Sequence, residues 1–231
     1  MSWLRKTNKP EKRLGAIIAI ESVSSEVTQT LLSSIERELA TAGFAVSVLE
    51  LPTKQAERNI PAVFEFPDLL DNNEVIGFVA GLDKCVELKT LTDRVQEGEI
   101  VLLTGSRLAV AAWLATEVDE YNNRVILYRW LERIDQALLK VPKIDLSIYV
   151  DVLPEHVSDI EHVSAPAGWL HRKMPRIAGL RDSFLEAAQL TAAVKLVLAH
   201  KNGKLMPDGE IHNRVWNLVR RIALKTNLPP A

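Results

Sequence analysis

Residues 14–43, LGAIIAIESVSSEVTQTLLSSIERELATAG, decide the fold. Ala16–Ile20 is an unbroken apolar run of the kind found in strands buried on both faces. Leu31, Leu32, Ile35 and Leu39 then recur at helical spacing, and Gly43 stands where a helix is stopped. A short serine-rich loop joins the two. Strand, tight loop and helix in that order are the layout of a phosphate-binding loop.

The chemistry of such a loop is missing. The pattern GxxxxGK[ST] uses glycines to turn backbone N–H groups toward phosphates, a lysine to reach the terminal phosphates and a hydroxyl to hold magnesium. Counted on from Ile20-Glu21, the first glycine position is Ser22 and the second is Val27; the lysine position is Thr28, followed by Gln29. Val27 is β-branched and disfavours positive φ, and Glu26 brings the wrong charge to a phosphate. A carboxylate at a helix N-terminus is stabilised by the helix dipole by about 0.3–1 kcal/mol, so one expectation is that Glu26 partly fills the anion site. The other is that SVSSE is a helix start capped by Ser24 or Ser25.

Working outward, the 231-residue chain is long enough for one large core, and its 47% hydrophobic and 25% charged content is that of an ordinary globule. A formal net charge of −2 gives no global case for nucleic acid or a membrane surface. The apolar runs at Ala16–Ile20 and Arg107–Ala115 are far too short to cross a bilayer, and Trp3-Leu4 is followed by charges instead of a leader's apolar core. The single cysteine, Cys85, excludes an internal disulfide and fits a reducing compartment, so a cytoplasmic location is expected.

Residues 1–13 read as a flexible basic arm, and 14–231 as a single domain. Further strands are expected over Phe44–Leu51, Ile100–Leu103 and Ile144–Val152. Helices are expected over Val75–Val95, Ala109–Ala115, Val125–Leu139, Arg181–Ala199 and Glu210–Leu224, with a break at Asn202-Gly203. Short apolar strands alternating with helices predict a three-layer α/β fold, a mainly parallel sheet with helices on both faces.

Several of these segments resemble thymidylate kinase, a nucleoside-monophosphate kinase of the P-loop class. Asp145–Glu155, DLSIYVDVLPE, is similar to that family's PDLTIYLDVxPE strand and turn; Glu97–Val101 resembles its EGKIV lead-in, and Phe184–Ala188 its YLELA helix. Residues 16–43 match its opening strand–loop–helix without a gap, with Glu21 on its glutamate before the loop. The departures fall on the functional motifs. The family's DRY triplet lies on Thr104-Gly105-Ser106, the arginine of REPGG on Glu50 with only Pro52 kept, and the substrate-binding DR pair on Gly81-Leu82.

The resemblance therefore implies a P-loop, thymidylate-kinase-like frame whose catalysis is impaired, a pseudoenzyme acting by ligand or partner binding. It implies a homodimer paired through helices, for which the apolar Ala109–Ala115 segment is suited, and it leaves room for an unidentified protein partner. The enzyme alternative is a residual dTMP kinase using ATP and Mg²⁺ with displaced guanidinium groups. Its candidates are Arg107, after the lost triplet, and Arg172 and Arg176, in a basic stretch (His171-Arg172-Lys173) within the lid-equivalent segment at about 164–180. A third reading is a structural or regulatory interaction protein with no nucleotide. Glu21 and Asp151 both fall at strand ends, where open α/β sheets bind ligands, and a bracing role is expected of each. His156 and His162, beside Glu155 and Glu161, lack an established metal-ligand spacing, so no metal site is expected. Trp113, Trp130, Trp169 and Trp216 read as packing anchors, and Arg214, Arg220, Arg221 and Lys225 as the polar face of the last helix.

Overall fold

Ala16–Ser22 forms strand β1, and all of its residues are buried. The computed structural model describes residues 15–53, 72–157, 177–191 and 193–225. After β1 come α1 (Ser25–Thr41), β2 (Val46–Glu50), α2 (Asn73–Thr90), α3 (Thr92–Gln96) and β3 (Ile100–Thr104). Then follow α4 (Arg107–Ala115), α5 (Tyr121–Arg133) running into a π-helical turn at Ile134–Leu138, and β4 (Leu146–Asp151). A 3-10 turn at Pro154–His156 precedes α6 (Ile177–Leu190), β5 (Val194–Leu198), a hairpin of β6 (His200–Lys201) and β7 (Lys204–Leu205), and α7 (Asp208–Lys225).

The sheet has five strands in the order β2-β3-β1-β4-β5, and every pairing is parallel. Parallel strands are buried on both faces, which explains why β1 and β3 are apolar at nearly every position. The period of two divides β1 between two helical layers. Ile17 and Ala19 pack with Val101 and Leu103 against Leu88 of α2 and Val95 of α3. Ile18 and Ile20 look the other way, into the cluster that holds Leu31, Leu32 and Ile35 of α1 and Val215 and Val219 of α7. Fully burying an isoleucine or leucine contributes about 1.5–3 kcal/mol, and Ile17, Ile18 and Ile20 are all fully buried. Tyr149 of β4 lies flat on Phe184 of α6, ring centroids 4.8 Å apart and planes within 5°.

The expected parallel α/β architecture is present, but the C-terminal third departs from expectation. The helix expected over Arg181–Ala199 ends at Leu190, and Val194–Leu198 is instead the fifth strand, paired with β4. The stretch between carries no Gly or Pro to mark the reversal; Ala193 makes it at φ 70°. Pairing with β4 overrides the helix propensity of Lys195, Leu196 and Leu198. The break at Asn202-Gly203 is the turn of the β6–β7 hairpin, with φ of 52° and 76°, the left-handed pair that an Asn-Gly hairpin turn requires. Ala109–Ala115, suited in sequence to a dimer interface, is buried within the chain's own core. Its surroundings correct that expectation: α4 is covered by α6 and α5. The basic arm 1–13 lies outside the described residues, as does the lid-equivalent segment up to 176; its last residues, 177–180, open α6. Among the described residues no helix is long and apolar enough to cross a membrane.

Candidate functional site

In a parallel sheet, ligands bind outside the carboxyl ends of the strands, where neighbouring connections leave toward opposite faces. Here β1 is flanked by β3 and β4, an arrangement found in neither of the two common doubly wound orders. The crevice of interest is bounded by the β1–α1 loop, the β3–α4 loop and the end of β4.

The β1–α1 loop is closed by its own backbone. Only Val23 and Ser24 separate the strand from the helix. Ser24 is the N-cap, extended at φ −97° and ψ 117°, and its hydroxyl accepts from the Val27 N–H at 3.3 Å. The Ser22 hydroxyl accepts from the Ser24 N–H at 3.2 Å. Thr28 donates to the Ser24 carbonyl through both its N–H, at 3.1 Å, and its hydroxyl, at 3.0 Å. Ser22, Ser24 and Thr28 are buried, Ser25 is half-buried, and Gln29 is exposed. Glu26 is exposed on the first turn of α1. The helix begins before the positions a phosphate loop would need, so the capped-helix reading holds.

A different carboxylate fills an anion nest. Glu21, fully buried, accepts from the Ser106 N–H at 2.8 Å, the Gly105 N–H at 3.1 Å and the Thr104 hydroxyl at 3.0 Å. These donors belong to the Thr104-Gly105-Ser106 triplet, at the start of α4. Gly105 has φ 76°, and a Cβ there would stand 1.6 Å from the Leu51 carbonyl oxygen, so only glycine fits. Burial pushes the Glu21 carboxyl above its ordinary range, against the lowering pull of its hydrogen bonds to Ser106, Gly105 and Thr104. These bonds tie the end of β1 to the start of α4.

Asp151 ends β4 and is likewise braced. Its oxygens accept from Arg181 Nε at 2.6 Å and Arg181 Nη2 at 2.8 Å, and His200 Nε2 lies 3.2 Å away. The bidentate pair ties β4 to α6 with charge-assisted bonds. Beside it, burial raises the pKa of Tyr149, whose hydroxyl has no partner among the described residues.

The middle helix holds charges that sequence reasoning missed. The expected DR positions, Gly81-Leu82, are apolar, but Asp83 and Lys84 follow directly and both are buried. Asp83 accepts from the Thr53 N–H at 2.6 Å and its hydroxyl at 2.9 Å, fixing the chain after β2. Burial again pushes its carboxyl up. Lys84 Nζ lies 2.6 Å from Asp135 in the π-helical turn. The legible signal was an Asp-Lys pair on an otherwise apolar helix face.

The other described candidates make their contacts elsewhere. Arg107 opens α4, 3.6 Å from Glu132 of α5, and lines a cavity of about 60 Å³ with Tyr128 and Leu190. Arg172, Arg176, His171, Lys173, His162 and Trp169 lie outside the described residues. Glu50 ends β2 and is exposed. The buried Cys85 thiol donates to the Leu139 carbonyl at 3.2 Å. Trp113 is buried, and Trp130 and Trp216 pack on the core. Arg214 pairs with Glu210 at 2.8 Å on the exposed side of α7. Among the described residues no group of three or more His, Cys, Asp or Glu is placed to hold a metal.

These groups do not fit ATP and Mg²⁺. The loop offers no glycine and no lysine, and the N–H donors at the end of β3 already hold a carboxylate. The sequence matches no known protein family and no curated protein.

Proposed function

We propose that the chain is a thymidylate-kinase-like protein of P-loop ancestry whose phosphate handling is lost, and that it acts by binding a ligand or a partner chain. The observation that carries this reading is the β1–α1 loop, which is two residues long, has no glycine or lysine, and is closed by the Ser24 cap of a helix that already starts at Ser25. Across the crevice, the Gly105 and Ser106 N–H groups of the triplet that stands in place of DRY are occupied by Glu21. Phosphoryl transfer depends on positioning and on stabilising charged oxygens, and removing one well-placed group costs about two to three orders of magnitude in rate. Loss of several leaves little turnover even when their effects are not additive.

A homodimer is part of the proposal. Phe78 and Val86 are 39% and 40% exposed, two turns apart on α2, and supply an apolar strip for helix pairing. Light scattering across a concentration series tests it, and a monomer at every concentration would end it.

The functional experiment is calorimetric titration with ATP–Mg²⁺ and with dTMP, run beside a coupled assay for ADP release. The expected result is silence in all three with folded protein. Micromolar binding of both ligands with ADP release would overturn the reading in favour of a residual kinase.

A further inference from the structure

A second cavity, of about 420 Å³, opens where α1, α7, the β6–β7 hairpin and the 3-10 turn meet. Its size is within the range of small-molecule sites, roughly 300–1,000 Å³. Leu31, Leu205 and Ile211 give it apolar walls. Its charges are lopsided: the carboxylates of Glu26, Glu38 and Asp208 line it, and among the described residues Arg37 is the only full cation that does. One wall is fixed by a side-chain chain from α1 to α7. Ser34 Oγ lies 2.8 Å from His212 Nδ1, and His212 Nε2 lies 3.2 Å from Glu38 Oε1. The other oxygen, Glu38 Oε2, has no hydrogen-bond partner among the described residues, on a side chain that is 43% exposed overall. A ligand donor would pair with it.

We propose that this cavity binds an aliphatic polyamine. Its ammonium groups pair with Glu38, Glu26 and Asp208, and its methylene segments lie on Leu31, Leu205 and Ile211. The apolar walls argue against a hard metal ion, which takes an all-oxygen cage. The excess of carboxylates argues against a nucleotide. The inference deepens the ligand-binding reading above and rests on it: Glu26, the residue that puts the wrong charge in a phosphate loop, becomes a ligand contact.

The test is calorimetric titration of the full chain with spermidine at constant ionic strength. A neutral diol of similar length and ATP–Mg²⁺ serve as comparison ligands. Saturable one-to-one binding of spermidine alone is expected. Glu26→Gln and Glu38→Gln should each weaken it at least fivefold, and Thr30→Trp, which fills the cavity from an exposed position, should abolish it. Absence of saturable binding overturns the proposal, as does binding that survives Thr30→Trp or is indifferent to Glu26→Gln. The ADP-release assay judges the loss of phosphoryl transfer separately, so the two ideas fail by different readouts.

Discussion

The Glu21 carboxylate accepts the backbone N–H of Ser106 at 2.8 Å, joining the end of β1 to the start of α4 across 85 positions of sequence. With the Gly105 N–H and the Thr104 hydroxyl it makes a closed set of donors around one buried anion. Glutamine keeps the shape but has one acceptor oxygen and turns an NH₂ toward a donor. Glu21→Gln should therefore cost about 1–3 kcal/mol, the usual penalty for stranding a buried polar group. The midpoint of urea unfolding measures it. An unchanged midpoint would mean that the nest is held by the backbone alone.

The same carboxyl sets a pH dependence. Burial raises its pKa in the folded chain above the ordinary 4.5, and Asp83 is raised for the same reason. An acid with a raised folded pKa contributes stability that is fully present below its unfolded pKa and is lost as pH rises through the folded one. The advantage of the native chain over Glu21→Gln should be largest in acid and should shrink as pH climbs from 4.5 toward neutrality. Glu186 works in the opposite sense: the Arg124 guanidinium lowers its pKa, so its contribution is lost as pH falls. Unfolding curves of both proteins across this range separate the effects, and an advantage that grows with pH would contradict the sign.

Gly105 is the hinge of that nest. A methyl group there meets the Leu51 carbonyl, and φ 76° is unfavourable for any residue with a Cβ. Gly105→Ala should destabilise by about 2–4 kcal/mol, combining backbone strain with forced displacement of a neighbour. Loss of less than 1 kcal/mol, about the ordinary helix cost of a glycine change, would show that Leu51 moves aside freely.

Lys84 and Asp135 form a buried pair, with side chains 4% and 10% exposed. Removing one partner leaves a buried charge, which costs about 3–5 kcal/mol, while replacing both with apolar groups is often close to neutral. Lys84→Met alone should fall in the first range, and Lys84→Met with Asp135→Leu should recover most of the loss. A double variant no better than the single would locate the damage in packing instead of charge.

Much of this frame was readable from residues. Ala16–Ile20 and Ile100–Leu103 are apolar without interruption because both faces of a parallel strand are covered, and that pattern has few other meanings. The helix after Ser24 was legible from its cap and from Leu31, Ile35 and Leu39. β5 was not, because Val194–Leu198 has no turn residue before it and earns its strand state only by pairing with β4. The site divided in the same way. The absence of glycine and lysine from Ser22–Gln29 is a local fact, whereas the partners of Glu21 and Asp151 arrive from α4 and α6, and nothing local announces them. Asp83 and Lys84 were the one signal available and unread: two charges on an apolar helix need partners, and they have them.

Installing the letters of a phosphate loop should not create one. In Val27→Gly with Thr28→Lys, the glycine and lysine fall inside α1, which begins at Ser25, and the N–H groups of Val27 and Thr28 are already held by Ser24. Thr28 is only 1% exposed, so a lysine there must bury its ammonium or push the first turn outward. The double variant is expected to melt lower than the native chain and to show no rise in Tm with ATP–Mg²⁺. Specific binding at a hundredfold excess over Kd would add about 2.7 kcal/mol to the folded state, a shift of several degrees that thermal melts resolve easily. Such a rise would mean that the helix start unwinds on demand and that its backbone can adopt a phosphate-binding conformation.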